Sequence, residues 1–583
     1  MPTVTPGLRA RDLVAPFLLL IVGFCLFPSS GRDDCYITFW PAETFSLTGH
    51  VLNYNGEAVE QSSTLLFVLL LGSLRAVTRL PISLIAYVAS VVFGILTVLR
   101  VGALVARVDA SARAWAMALA ASTVPLLYWM FSATEMTCVA FLGLSLVSSI
   151  ADATEDPRGP VLARLAAWTL AFLLVRPEAP LVLIGTIVAQ MMVAAVIDRP
   201  RSPTALRRLA AILAAVAAAA AMVFVFRRLV FHEWFPLPVR AKTQQISMRL
   251  LREGWTYTHI ALLRGTSGAS VAVLLVSPVA LYVVRAIPRP VRTAVQLCVA
   301  FAWVQVAFVI TCGGDWMEVG RFFVLALALA CVPATLVFAP RPRLLRIAVC
   351  LAVAVNLYGV WQTLKQPKTV IQAVPVWALR ADLDGSVTSS MSFFDRYNAT
   401  HHRDRAFYPA LRDVVKKVYD DRHGEPLTVL SGQAGDIMIE LEHDFDGRIR
   451  FIDAAGLSTR HFPDCPLAPG TARSALGMVG LATRYIHEPR ATAQACHFEL
   501  PEIMFGRHSK HQYDPALEKE YTIVVSQSDT DLTSRSIASR AYQGQFAMVR
   551  TDIATRLGLQ PVRITEAPSL KRAPSQKDAE PKN

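Results

Sequence analysis

Long apolar runs fill the first 362 positions of the chain and are nearly absent from the remainder. A helix that crosses a bilayer needs about 20 consecutive, mostly apolar residues. Segments of this kind lie at 12–30, 81–106, 114–131, 136–151, 161–175, 180–197, 209–226, 268–284, 294–311, 322–338 and 344–362, eleven in all. A twelfth run, 64–79, is interrupted by Arg75 and Arg79 and reads as a partial, re-entrant or interfacial helix. Beyond 362 the pattern becomes that of a soluble chain. Leu427–Leu430, Ile449–Ile452 and Tyr521–Ser526 read as short buried strands, and Ala410–Tyr419 as a helix started by Pro409. The expected architecture is a polytopic α-helical membrane domain over 1–365 and a soluble α/β domain over 366–563, which a parallel sheet would suit. The tail 564–583, rich in Lys, Pro, Ser and Ala, is expected to be disordered.

Composition agrees with this division. Of 583 residues, 54% are hydrophobic and 17% charged, with a mean hydropathy of +0.42; soluble proteins carry about 25% charged residues. The net charge of +13 looks like a nucleic-acid footprint until the arginines are placed. Arg9 and Arg11 precede the first run. Arg107 with Arg113, then Arg199, Arg201, Arg207 and Arg208, then Arg285, Arg289 and Arg292, and finally Arg341, Arg343 and Arg346 crowd four loops. Eleven crossings put all of these on one side, which the positive-inside rule makes cytoplasmic; the slightly acidic loop 152–160 is the exception. The charge therefore reads as topology in a multi-pass plasma-membrane protein, and no basic face points to nucleic acid. Ser29, Ser30 and Gly31 would suit signal cleavage. An uncleaved anchor is the preferred reading, because the segment directly after it carries chemistry.

Opposite the arginine-rich loops lie 31–80, 132–135, 176–179, 227–267, 312–321 and everything after 362. Polar residues that packing does not explain collect there, so a site is expected on the extracytoplasmic face. The strongest local signal is Arg32-Asp33-Asp34-Cys35-Tyr36-Ile37-Thr38-Phe39. Adjacent carboxylates repel, which raises one pKa, and a carboxylate beside a hydroxyl can act as general base. A solvated loop would also carry such a pair. His401-His402 is an isolated pair without ligand spacing; no cofactor is required, although the acidic pair could hold a divalent cation. Neither a Walker A nor a Rossmann glycine pattern occurs. In the exported region Cys465 and Cys496 could pair in an oxidising compartment.

These residues carry a resemblance to the GT-C superfamily of membrane glycosyltransferases, and within it to the mycobacterial terminal β-(1→2)-arabinofuranosyltransferase family. The matching positions are Asp33, Asp34, Ile37, Thr38 and Phe39; Gly49, His50, Val51 and Asn53; and Gly56, Glu57, Val59, Glu60, Ser62 and Ser63. Further matches come in the family's order: Ser132-Ala133-Thr134-Glu135, Arg176-Pro177-Glu178, Pro236 through Ala241-Lys242, Gly313-Gly314-Asp315-Trp316-Met317 with Arg321-Phe322, and Ile452-Asp453 with Gly456-Leu457. They cover roughly residues 10–460. The chain departs from the pattern at Trp40-Pro41-Ala42, Gln61-Ser62, Ala133, Leu237-Pro238 and Arg240, positions expected to line the donor or acceptor groove.

The resemblance implies transfer of D-arabinofuranose from a polyprenyl-phosphate donor to a cell-envelope glycan acceptor, in the lipid bilayer. Asp33 or Asp34 would take the acceptor proton, and direct attack on the sugar carbon would invert the anomeric centre. A departing lipid phosphate needs cations: Lys242 and Arg240 lead, with Arg176 and Arg321 next, unless these last two merely snorkel from helix ends. Glu60 would bind sugar hydroxyls. Glu135, Asp315 and Trp316 are further candidates for sugar or acceptor, with Glu135, Glu178 and Asp315 equally suited to pairing with arginines inside the bundle. Competing readings are a GT-C transferase for another sugar or acceptor (mannose, lipid A or protein), a transporter, and a non-catalytic scaffold. A transporter would place ionisable groups at mid-membrane, whereas this chain keeps them in the outer loops.

Overall fold

A computed structural model describes residues 9–27, 34–197, 203–242, 247–263, 268–283, 289–314, 319–365, 399–431, 435–453, 458–460, 489–507, 515–527 and 545–562. The apolar runs fold as helices: α1 (Ala10–Leu26), α2 (Asp34–Thr48), α3 (Leu65–Thr78), α4 (Ile82–Ala106), α5 (Arg113–Ser122), α6 (Val124–Met130), α7 (Met136–Glu155), α8 (Gly159–Val175), α9 (Ala179–Ile197) and α10 (Pro203–Val230). Next come α11 (Leu237–Lys242), α12 (Met248–Leu263), α13 (Gly268–Val276), α14 (Ala280–Val283), α15 (Arg289–Thr311), α16 (Phe323–Phe338) and α17 (Pro342–Lys365). Among the described residues, six helices are long and apolar enough to cross a membrane, namely α4, α7, α9, α10, α15 and α17; the sharply bent pair Met248–Leu263 and Gly268–Val283 makes up to seven. Shorter apolar helices include α1, α3, α8 and α16. This is the architecture of a multi-pass membrane protein.

One expected span takes another form. The run 114–131 breaks at Thr123, whose backbone is extended (φ −64°, ψ 126°), and Pro125 sits in the first turn of the next helix. Proline has no N–H to continue the preceding helix, so the chain restarts there. The restarted piece holds Tyr128, Trp129 and Met130 fully buried, so it is core rather than lipid surface. Helix α16 is likewise buried along nearly its whole length, whereas α10 and α17 show most of their surface. A central helix is apolar on every side because it meets helices on every side.

After α17 the described chain builds one mixed sheet. Its strands are β1 (Leu427–Ser431), β2 (Ile449–Asp453), β3 (Ile503–Arg507), β4 (Tyr521–Gln527) and β5 (Gln545–Arg550), in the order β2-β1-β3-β5-β4. β1 runs parallel to β2 and β3, with Val429 opposite Ile503, and β5 pairs antiparallel with β3 and β4. Side chains alternate between the two faces. Val429, Phe451, Ile503 and Val549 face one core, shared with Leu411, Val415 and Val418 of α18 (Ala399–Asp421). Leu430, Ile452, Met504 and Met548 face a smaller one. Helices α19 (Asp436–Phe445), α20 (Pro489–Cys496) and α21 (Thr551–Arg556) complete the described elements. The expected strands are present, but the sheet is mixed rather than purely parallel, because β5 returns antiparallel between β3 and β4. Pro409 lies inside α18 instead of starting it.

Candidate active site

The acidic pair stands where the chain enters α2. Asp34 is the helix's first residue, with its side chain outside the described set, and Asp33 precedes the described segment. The first turns of α2 are held from several directions. Pro41 inside α2 cannot donate to the carbonyl four residues back, so that carbonyl, Ile37 O, needs another donor. Gln61 Nε2 supplies it at 2.9 Å. The Tyr54 hydroxyl donates to Tyr36 O at 3.2 Å, and the Thr38 and Ser62 hydroxyls meet at 2.9 Å. Trp40 Nε1 donates to Asn53 O at 2.8 Å, and the Trp40 ring stacks on Tyr54 at 5.7 Å. The loop 49–63 thus wraps α2 and fixes its start. On the opposite side Gly72 of α3 lets the helices close up: a Cβ there would lie 2.6 Å from Ala42 O. Gln61, a departure expected to line a substrate groove, is fully buried and serves the backbone instead.

Other loops are tied to this one. Glu60 forms a bidentate pair with Arg227, Nε–Oε2 2.8 Å and Nη2–Oε1 3.1 Å, sealed from solvent at 4% and 1% side-chain exposure. The expected sugar ligand is therefore committed to an ion pair. Its backbone carbonyl accepts Leu237 N at 3.1 Å, seating α11 on the loop. From α11, Arg240 pairs with Glu233 at 2.6 Å, and Lys242 closes the helix with its side chain outside the described set.

A second group forms beside the first. Cys35, adjacent to Asp34, lies with Sγ 3.2 Å from Ser132 O. The turn 132–135 passes through Ala133 in the left-handed region (φ 58°), a conformation that favours glycine, so the departure at Ala133 keeps a strained turn without the residue suited to it. Glu135 then reaches Arg176 at 2.8 Å, and Arg176 Nε also donates to Glu178 at 2.8 Å. The Arg176 and Arg321 guanidinium groups both lie over the Phe322 ring, at 5.1 and 5.2 Å, where the ring's negative face attracts cations. Met136, Phe172, Arg176, Glu178, Gln305 and Arg321 line a small pocket here. Arg176, Glu135 and Arg321 are thus brought together, whereas Glu60 and Arg240 belong to the neighbouring group. Asp315 and Trp316 lie outside the described residues.

The sheet domain closes on the same loop. Asn55 behaves as an extra strand residue at the free edge of β2: its Oδ1 accepts Phe451 N at 2.7 Å and its Nδ2 donates to Phe451 O at 3.0 Å. Asn53 Nδ2 donates to Ser458 O at 2.9 Å, and Arg460 reaches Phe231 O at 3.2 Å. Glu43 of α2 pairs with Arg75 and, at 3.6 Å, with His443 of α19. Burial pushes the Glu43 carboxyl up, but the His443 hydrogen bond and the charges of Arg75 and His443 outweigh it and leave it below 4.5. The same hydrogen bond raises His443 above 6.5. None of these docking residues was singled out for this role by the sequence. The repeated asparagines in Asn53-Tyr54-Asn55 were the available signal, since an amide can mimic a strand's donor and acceptor.

Among the described residues no three His, Cys, Asp or Glu side chains gather as a metal site; Asp33 and the Asp34 side chain are not among them. Cys496 is disulfide-bonded, and Cys465 lies outside the described residues.

No protein-family model matches the sequence, and no curated protein matches it. Solved structures do. The oligosaccharyltransferase of Archaeoglobus fulgidus, in a form tethered with an acceptor peptide, matches with a TM-score of 0.51 at 12% identity, over 90% of this chain and 73% of that one. ArnT from Cupriavidus metallidurans in the apo state gives 0.42 at 12% identity over 92% and 97%, and the arabinosyltransferase EmbB from Mycobacterium smegmatis 0.38 at 15% over 62% and 38%. At such identities the likeness is one of fold, and the first match carries it: this chain shares the fold of the oligosaccharyltransferase.

Proposed function

We propose that this chain is a membrane glycosyltransferase that moves a sugar, D-arabinofuranose on the sequence resemblance, from a polyprenyl-phosphate donor to a cell-envelope glycan at the extracytoplasmic face. The observation that carries the reading is the acidic pair at the start of α2, on a helix whose first turns are fixed by Tyr54, Gln61 and Ser62. Rigid support is what a general base needs, since catalysis is sensitive to placement on the ångström scale. The GT-C fold and the order of the outer-loop motifs support the same reading.

In this mechanism the acceptor hydroxyl gives its proton to Asp33 or Asp34 as its oxygen attacks the anomeric carbon. The bond from that carbon to the phosphate oxygen breaks, and the anomeric centre inverts. The lipid phosphate leaves as an anion. Arg176 already faces two carboxylates, Glu135 and Glu178, so its charge is largely offset. Lys242 is the leading candidate to meet the phosphate, with Arg321 beside Arg176 at the Phe322 ring and Arg240 partly offset by Glu233.

The test is transfer from labelled polyprenyl-phosphoryl arabinofuranose to a short arabinan by the purified full chain. Asp33→Asn and Asp34→Asn are compared with wild type. Loss of the base is expected to lower the rate by about 10²–10⁴-fold in one of them. Wild-type transfer unchanged in both variants would remove the acidic pair from the mechanism. No transfer by folded wild type would move the proposal to another sugar or acceptor within the same fold.

A further inference from the structure

At the end of α4 away from the loop 49–63, two arginines meet on one carboxylate and a third lies on the same helix face. Arg107 donates to Asp152 Oδ1 at 3.0 Å and to the Ser148 hydroxyl at 2.7 Å, both on α7. Arg164 of α8 reaches Asp152 Oδ2 at 2.7 Å. Arg100 lies on α4 two turns before Arg107 and hence on the same face. Its Nε is buried without a hydrogen-bond partner, and no described carboxylate pairs with it. The charges that reach it are Arg107 and Arg164, which repel it, and Asp152, which attracts it. Asp152 is already shared by the other two. Three guanidinium groups and one carboxylate leave an excess of two positive charges around a partly buried arginine. A membrane helix does not carry such a charge cheaply without a counter-ion or water. Topology alone explains arginines in an exposed loop. It does not explain one inside a spanning helix with a buried, unpartnered Nε.

We propose that Arg100, Arg107 and Arg164 form a phosphate-binding site for the headgroup of an anionic lipid. Guanidinium forks match the oxygens of a phosphate two at a time, and a phosphate here would bond Arg100 and a remaining N–H of Arg164, while Arg107 and Arg164 stay anchored on Asp152. The cluster is open to such a ligand: Arg107 and Asp152 are about a quarter exposed and Arg164 about half. At a membrane boundary the abundant phosphates belong to lipids, and basic clusters there attract anionic headgroups. This site lies outside the proposed glycosyl-transfer machinery.

The full chain, purified from nanodiscs of mixed phosphatidylglycerol and phosphatidylcholine, is examined by native mass spectrometry for retained lipid. Wild type is expected to keep phosphatidylglycerol selectively. Arg100→Gln and Arg164→Gln should each lower retention by roughly tenfold, the effect of one charge-assisted contact, with Arg100→Lys in between. Arg343→Gln, an exposed arginine of α17, should leave it unchanged. A parallel arm adds inorganic phosphate to delipidated protein and reads the unfolding midpoint. A rise in wild type that is lost in Arg100→Gln supports the phosphate site and assigns it to free phosphate rather than lipid. Arg164, being half exposed, carries the test if Arg100→Gln fails to fold. Retention and phosphate response equal to wild type in the folded variants would overturn the proposal, as would an equal loss in Arg343→Gln.

Discussion

Glu60 and Glu43 both lie between α1 and α3, and each is paired with an arginine, yet the two pairs do different work. Glu60–Arg227 is bidentate and sealed from water. Glu43 meets Arg75 and His443 in a contact where the histidine side chain is 48% exposed. Burial makes the difference. A sealed pair cannot exchange its partners for water, so it behaves as a fixed brace between the loop 49–63 and the end of α10. The half-exposed triad can let go, and it joins the membrane bundle to the sheet domain, where a titratable partner can alter the contact.

The brace gives the largest expected effect. Removing one partner of a buried ion pair costs about 3–5 kcal/mol, because the other charge is left buried and alone. Glu60→Gln and Arg227→Met are each expected to lower the unfolding midpoint of the purified protein sharply. The double variant Glu60→Leu/Arg227→Met should recover most of the loss, since well-packed apolar groups can replace such a pair. A double variant as unstable as the singles would show that apolar packing cannot replace the ion pair at this position.

A smaller effect is expected at the edge of the sheet. Asn55→Ala removes two hydrogen bonds to Phe451, each worth about 0.5–1.5 kcal/mol net. The loss should fall on domain docking rather than on the helical bundle. Hydrogen exchange at β2 should rise while exchange in α7 and α16 stays as in wild type. Equal changes in both regions would mean that the sheet domain and the bundle unfold as one cooperative unit.

The same contrast explains what the sequence disclosed. Spans such as α4 and α9 are written in local composition, and strands β1, β2 and β4 in short apolar runs. β3 and β5 were missed: Gly506 interrupts one, and Gln545 and Arg550 bound the other with polar residues. The acidic pair was legible because its residues are adjacent. Its support was not, because Gln61 acts on Ile37 across 24 positions and Glu60 finds Arg227 across 167. Glu60 read as a sugar ligand for that reason: a carboxylate in an outer loop is conspicuous, but its partner is at the end of an apolar helix where arginines are expected anyway. Pro41 held the clearest unread signal, since a proline inside a helix leaves a carbonyl that something must satisfy.

The triad gives the smallest effect and the most particular one. Glu43 must be ionised and His443 protonated for the contact to be strongest. Glu43 has its carboxyl lowered below 4.5, so its contribution is complete above that value and fades as pH falls through the lowered one. His443 is raised above 6.5 by its hydrogen bond to Glu43, so its contribution is complete below 6.5 and fades as pH rises through the raised value. Glu442, one residue earlier on α19, is pushed up to about 7 by burial, helped by Asp446 and opposed by His443. Its ionisation costs the folded state increasingly between 4.5 and 7, which adds to the loss on the alkaline side. Docking of α19 on α2 should therefore be tightest just above pH 4.5, weaken gradually toward 6.5 as Glu442 ionises, and loosen further as the solution becomes alkaline. Hydrogen exchange of α2 and α19, tracked across that range, should show the trend in wild type. His443→Gln should keep the Glu442 part and lose the rest, giving a shallower alkaline limb. An identical profile in the variant would assign the pH response to Glu442 alone and leave His443 as a packing residue against Trp40, whose ring centroid lies 5.7 Å from its own.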